Sequence, residues 1–259
     1  MEQAGMHVNN STNEHRNNNP NHFIIWLDKH IGKPDECILL KCSLFMAIDP
    51  TTGLYEKQLN KDDIDQSILC EASLLVRLDE VEFMFQAFED VEKCFLTIEK
   101  SRHKRIFFIT SGSKGRMIVP SLIKNFPGTF VKDYWIYIFC ANMNMAAVAN
   151  AEPPTNTWAL EFLDHVLMFN HQDDLMARMV VEIGNYFFTE AKRLDTDNQF
   201  DSAYEYYRWS KTMYQRYEIM ENRRKSDRIE EIDQNIKIIE ERRQEQEDNE
   251  DNHVGKAPS

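Results

Sequence analysis

Arg105-Ile106-Phe107-Phe108-Ile109-Thr110 runs directly into Ser111-Gly112-Ser113-Lys114-Gly115-Arg116, and then into the stretch Met117 to Asn125. The first six residues are a β-favouring run whose apolar positions do not alternate with polar ones. That pattern suits a strand covered on both faces, as in the middle of a parallel sheet. The Gly/Ser stretch that follows reads as a turn, and Met117 to Asn125 as a helix. Strand, turn and helix in that order form the repeating unit of an α/β fold.

The same unit recurs on either side. Phe23-Ile24-Ile25-Trp26-Leu27 is an uninterrupted apolar strand closed by Asp28, and Val81 to Phe88 is a second strand. Asp90 caps a helix with Val91, Cys94, Phe95 and Ile98 on its apolar stripe. Tyr134 to Cys140 and His165 to Phe169 supply two further strands. Five apolar strands separated by helical stretches predict a five-stranded parallel sheet of flavodoxin-like order 2-1-3-4-5. Pro34 to Ile48 has helical spacing, Trp158 to Leu163 reads as the helical part of the last crossover, and residues 51–73 read as an insertion with one short helix over Ile64–Ala72.

After Asn170 the composition changes, and Gly and Pro become scarce. Asp173 to Leu194 and Phe200 to Met220 predict two helices joined by Asp195-Thr196-Asp197-Asn198, hence an antiparallel hairpin. A third helix begins near Ser226, with Ile229, Ile232, Ile236 and Ile239 at 3-4-3 spacing. One and a half heptads are too few for an independent coiled coil, so this helix is expected to pack on the hairpin. The predicted organisation is a disordered Asn-rich leader (1–20), an α/β domain (21–170), an all-α appendage of three helices (171–244) and a disordered acidic tail (245–259).

Composition excludes several functions. With 43 acidic residues against 30 basic ones, a net charge of −13 disfavours nucleic acid and anionic membranes as partners. The basic run at Arg102–Arg105 reads as a solvated turn. No apolar run approaches the roughly 20 residues of a membrane span, and the leader lacks an apolar signal core. The five cysteines form no CxxC pair and the eight histidines are scattered, so no metal or cofactor is expected and a cytoplasmic location is.

Ligands of open parallel sheets sit beyond the carboxyl ends of the strands, where strand order reverses. That crevice would hold Asp28 and Lys29 after the first strand and Ser111, Gly112, Ser113, Lys114 and Gly115 after the third. Amide N–H groups and a lysine there could hold a small anion, a phosphate or a nucleotide. The stretch fits neither GxxxxGK[ST] nor GxGxxG, and the glycines are equally explained by the turn. Phosphoryl acceptance would need an acidic pair after the first strand and an aspartate after the third. The chain has Asp28 alone, and Ser111 stands at the acceptor position. A carboxylate for NAD cleavage, expected early in the next helix, is missing between Ser111 and Asn125. The second C-terminal helix carries Tyr204, Tyr206, Tyr207, Trp209, Tyr214 and Tyr217. These read either as hairpin core or as core plus a face for other proteins.

Trp26-Leu27-Asp28, Ala87 to Cys94, Arg105 to Gly115, Val119-Pro120 and Tyr137 to Cys140 together resemble a receiver-like or Toll-like α/β module of multidomain invertebrate proteins. In those proteins the module precedes tetratricopeptide arrays or an ADP-ribosyltransferase domain. The resemblance spans about Phe23 to Phe169, implies the flavodoxin-like sheet, and brings no catalytic residues. Ile183-Gly184-Asn185-Tyr186 with Phe200, Ala203 and Tyr207 is similar to a single degenerate tetratricopeptide hairpin, with a longer first helix and no closing proline. The combined expectation is a non-enzymatic interaction or adaptor protein that binds other proteins through its C-terminal helices. The alternative is a nucleotide- or phosphate-binding, possibly hydrolytic, domain using the crevice.

Overall fold

The computed structural model describes residues 21–31, 33, 37, 46–48, 55–57, 70–71, 73–78, 81–131, 134–140, 157–222 and 227–254. The elements in chain order are β1 (His22–Leu27), β2 (Met46–Ile48), β3 (Tyr55–Lys57), β4 (Ser73–Leu78), β5 (Val81–Phe88), α1 (Val91–Lys100), β6 (Arg105–Ser111) and α2 (Gly112–Asn125). They continue with β7 (Ile136–Phe139), a 3-10 helix (Thr157–Phe162), β8 (Val166–Phe169), α3 (Gln172–Thr196), α4 (Phe200–Met220) and α5 (Asp227–Val254).

Five strands form the parallel sheet β5-β1-β6-β7-β8, which is the order 2-1-3-4-5. An additional strand, β4, pairs antiparallel with the β5 edge. At the centre Trp26 lies between Ala87 and Ile109 in register, so β1 is hydrogen-bonded on both sides. Both faces of these strands are buried, which explains why their apolar residues do not alternate with polar ones. Ile24, Trp26, Phe83, Phe85, Phe107, Ile109 and Tyr137 point to one face, and Phe23, Ile25, Leu27, Ile106, Phe108, Ile136 and Ile138 to the other.

The second face is covered by α1, α2 and the 3-10 helix. Cys94 and Ile98 come from α1, Ile118, Val119 and Leu122 from α2, and Ala159 from the 3-10 segment. Asp90 caps α1 as its sequence predicts, accepting the Lys93 amide at 2.9 Å. Burial pushes the Cys94 thiol up, which makes it an inert core residue.

The first face is covered by α3. Leu175, Met176, Met179, Val180, Ile183 and Phe187 lie at helical spacing and pack on the sheet residues of that face. The three C-terminal helices follow the sheet in the chain, and the first of them, α3, also supplies the second layer of the α/β sandwich. At 25 residues, α3 is about 37 Å long, enough to cross the sheet and continue past it. Its last turns turn a second stripe, Phe188, Ala191 and Leu194, toward Phe200, Ala203, Tyr207 and Tyr214 of α4 and toward Ile229, Ile232 and Ile239 of α5.

The hairpin closes tightly. A Cβ on Gly184 would lie 3.1 Å from two ring carbons of Tyr214, and Ser210 Oγ donates to the Gly184 carbonyl at 2.8 Å. The connecting turn uses Asn198 in the left-handed region (φ 56°), a conformation that asparagine tolerates.

Other expectations need correction. Met46–Ile48, read as the end of a helix, is a strand paired antiparallel with Tyr55–Lys57 inside the insertion. Cys70 and Glu71, read as helical, form a turn. The rest of the Ile64–Ala72 reading, most of Pro34 to Ile48, and the 1–20 leader lie outside the described residues. The Trp158 to Leu163 helix is the 3-10 segment Thr157–Phe162. The third C-terminal helix runs on to Val254, ten residues into the stretch read as an acidic tail.

Candidate functional site

The crevice at the carboxyl edge contains the residues the sequence places there, but their polar groups are engaged with one another. Asp28 Oδ1 accepts the His30 amide at 2.6 Å, an Asx turn closing the end of β1. Helix α2 begins at Gly112, directly after the strand, so the Gly/Ser stretch is the first helical turn and not a loop that wraps a phosphate. Ser111 is the N-cap residue, yet its side chain makes no capping bond and its hydroxyl lies 3.5 Å from that of Ser113. Lys114 Nζ donates to the Glu89 carbonyl at 2.6 Å, bridging α2 to the end of β5. Gly115 serves packing: a Cβ there would lie 3.2 Å from Thr110 Cγ2 and from the Trp158 ring. Lys29 is exposed at the rim.

The aromatic helix is placed differently from an open binding face. Tyr207 and Tyr214 are buried in the core shared by α3, α4 and α5, and Tyr204 is half-buried against it. Tyr206, Trp209 and Tyr217 are half-buried against the core on the sheet side. The Trp209 ring centroid lies 5.4 Å from Phe187, and Tyr206 lies 4.8 Å from Trp209. None of the six is exposed. The aromatics are divided between two cores because α4 is wedged between the sheet end and α5.

A cavity of about 450 Å³ opens at the opposite, amino edge of the sheet, between α3 and the start of β7. Arg105, the first residue of β6, forms its floor. Its guanidinium is only 8% exposed and stacks on the Tyr134 ring at 3.7 Å and on Phe107 at 4.6 Å. Burial holds Arg105 below the usual arginine value, against the pull of nearby Tyr137, Tyr134 and Glu182. One turn-spaced stripe of α3, namely Arg178, Glu182, Asn185 and Thr189, lines the wall beside Tyr186. Arg178 Nη2 meets Glu182 at 2.6 Å, and Glu182 is 5% exposed. Burial pushes the Tyr186 hydroxyl up, so it stays a neutral donor and acceptor.

Searched against protein families, curated proteins and solved structures, the chain matches none. Among the described residues no three His, Cys, Asp or Glu side chains converge as a metal site, and no helix is long and apolar enough to cross a membrane.

Sequence reasoning missed the cavity because its residues come from places that read as surface. The Arg102–Arg105 run, which reads as a solvated turn, is one at Arg102 and His103, both exposed, but Lys104 Nζ reaches Met84 Sδ at 2.9 Å and Arg105 turns inward. The available signal was Glu182, a charge flanked by Val181 and Ile183 on a helix whose apolar stripe runs from Leu175 to Phe187.

Proposed function

We propose that this is a non-enzymatic interaction or adaptor protein of the cytoplasm that binds other proteins through its C-terminal helices. Its α/β domain acts as the rigid mount. The observation that carries this reading is the way α5 is held. Ile229, Ile232 and Ile239 seat one stripe of it on α3 and α4. Ion pairs from Arg242 to Asp195 and from Arg243 to Asp201 fasten it near the hairpin turn. Its outward side is open to solvent, with Ile238 at 42% exposure, and the helix continues to Val254. The engagement of Asp28 and Lys114 within the crevice supports a scaffold role for the sheet. A net charge of −13 favours partners other than nucleic acid.

A photo-crosslinking residue placed at Ile238 should give a discrete protein adduct in cells, and Ile238→Glu should abolish that partner's co-purification with the full chain. Turnover of a nucleotide by the purified protein, lost on changing Asp28 to Asn or Ser113 to Ala, would overturn the reading.

One observation favours a second reading, a nucleotide or phosphate held at the carboxyl-edge crevice. Helix α2 starts there without a side-chain cap, so its first amide N–H groups face the crevice. Thermal stabilisation by phosphate, ATP or ADP-ribose that disappears in Ser113→Asp would support it. An unchanged response in that variant would reject it.

A further inference from the structure

We propose that the free edge of β8 binds an extended segment of another protein, apolar at its centre and flanked by lysine or arginine, by taking it up as a further strand of the sheet. β8 (Val166–Phe169) is an edge strand, paired on one side with β7. The Ile136 amide donates to the His165 carbonyl at 2.9 Å, and the Cys140 amide to the Phe169 carbonyl at 2.8 Å. In a parallel ladder this turns the backbone groups of His165, Leu167 and Phe169 toward β7, and those of Val166 and Met168 away from it. Among the described residues none bonds to the outward N–H and C=O groups of Val166 and Met168. Each of these two residues offers one donor and one acceptor at the spacing of a strand, the array that a chain in extended conformation matches.

The edge lacks the charges and prolines that keep other sheet edges from pairing, since its sequence is Val166-Leu167-Met168-Phe169. Leu167, Met168 and Phe169 are half-buried, and the segment leading into the strand shows Leu160 at 63% and Leu163 at 59% exposure. An added strand therefore lays apolar side chains beside apolar ones. Charge then selects among extended segments. Glu161 and Asp164 stand before β8, and Asp173 and Asp174 after it, all of them exposed. From Asp133 to Ala177 the chain has no lysine or arginine. A second copy pairing β8 with β8 about a two-fold axis would bring two acidic rims together, whereas cationic flanks on a peptide meet them with opposite charge. The short strand restricts the contact to a short motif. This surface lies on the sheet and is independent of the α5 face.

The test uses the full chain and a fluorescein-labelled peptide of alternating valine and threonine with a pair of lysines at each end, read by fluorescence anisotropy. Saturable binding below millimolar peptide is expected. It should weaken at least tenfold when glutamates replace the lysines, and also when the central amides are N-methylated, because methylation removes the donors that an added strand needs. Met168→Pro removes one outward N–H without touching the ladder to β7, and should weaken binding at least tenfold. The charge reversal Asp164→Lys with Asp173→Lys, at exposed positions, should do the same and leaves the strand itself unchanged. Circular dichroism of each variant confirms that it is folded. Ile238→Glu, on α5, should leave peptide binding unchanged, so the two surfaces stand or fall separately. No binding at millimolar peptide would overturn the proposal, as would equal binding of the methylated peptide or unchanged affinity in the charge-reversed variant. A dimer at micromolar protein that Met168→Pro dissociates would also overturn it, since the edge would then be taken by a second copy.

Discussion

Truncating Phe187 to alanine tests whether the C-terminal helices belong to the α/β core. The ring is fully buried on α3, with its centroid 5.1 Å from His22 and 6.0 Å from Phe83 on the sheet. It also lies 5.7 Å from Tyr206 and 5.4 Å from Trp209 on α4. One side chain therefore joins sheet, first helix and second helix. Burying a Phe contributes about 1.5–3 kcal/mol by transfer alone. The cavity left behind and the lost ring contacts raise the expected cost to about 3–5 kcal/mol. Against a typical domain stability of about 5–15 kcal/mol, that is about a fifth or more of the total. The melting temperature should fall by about 6–20 °C for a domain of this size. Urea unfolding followed by circular dichroism should remain a single transition with a lower midpoint. Hydrogen exchange at the Phe107 and Phe108 amides of β6 should accelerate in proportion. If the helices melted early in the variant while β6 kept its wild-type protection, the shared core would be refuted. Residues 171–222 would then be a separate unit.

Two further predictions concern the hairpin and its response to acid. Alanine at Gly184 gains about 1 kcal/mol of helix propensity, but its Cβ at 3.1 Å from the Tyr214 ring costs about 1–3 kcal/mol by overpacking. A lower urea midpoint is expected, whereas Gly128→Ala, which meets nothing within 4 Å, should be tolerated; a raised midpoint for Gly184→Ala would remove the close-contact argument. At Glu231, partial burial raises the carboxyl pKa, but the bond from Lys192 and the charge of Arg228 outweigh it, so the net direction is down. The Lys93 amide lowers Asp90 likewise. A carboxyl depressed by folding stabilises above its unfolded value of about 4 and loses that contribution as pH falls through the folded value. Stability should therefore decline below about pH 4, and less steeply in Glu231→Gln; identical acid limbs would sink this assignment.

Most of the α/β layer was legible because buried parallel strands leave a plain signature. Phe23 to Leu27 and Arg105 to Thr110 have nowhere to go but between two layers. Asp90 announces its helix by local capping chemistry alone. What escaped depended on contacts distant in sequence. Ser73–Leu78 has a strand's composition, but its role as the antiparallel edge is set by β5, not by its own pattern. Helix α3 was recognised as a helix, yet periodicity states only that one stripe is buried and never against what. Its stripe from Leu175 to Phe187 could equally have faced a neighbouring helix.

The sites divide along the same line. Strand order fixes where the switch point lies, but not the condition of the groups around it. Ser111-Gly112-Ser113-Lys114-Gly115 has the composition of a phosphate loop, and whether it forms one depends on where the helix begins. Here the helix begins at Gly112, immediately after the strand, and the Trp158 ring fills the space beside Gly115. At the amino edge the reverse holds. Strand order gives no reason for a ligand there, and the cavity exists because α3 is longer than the sheet it covers. Its polar stripe lines the cavity together with Arg105, Tyr134, Val181 and Tyr186. A cation in that position, stacked on two rings and closed from most of the solvent, is costly to bury. The length of one helix thus creates both the stability cost and the candidate site.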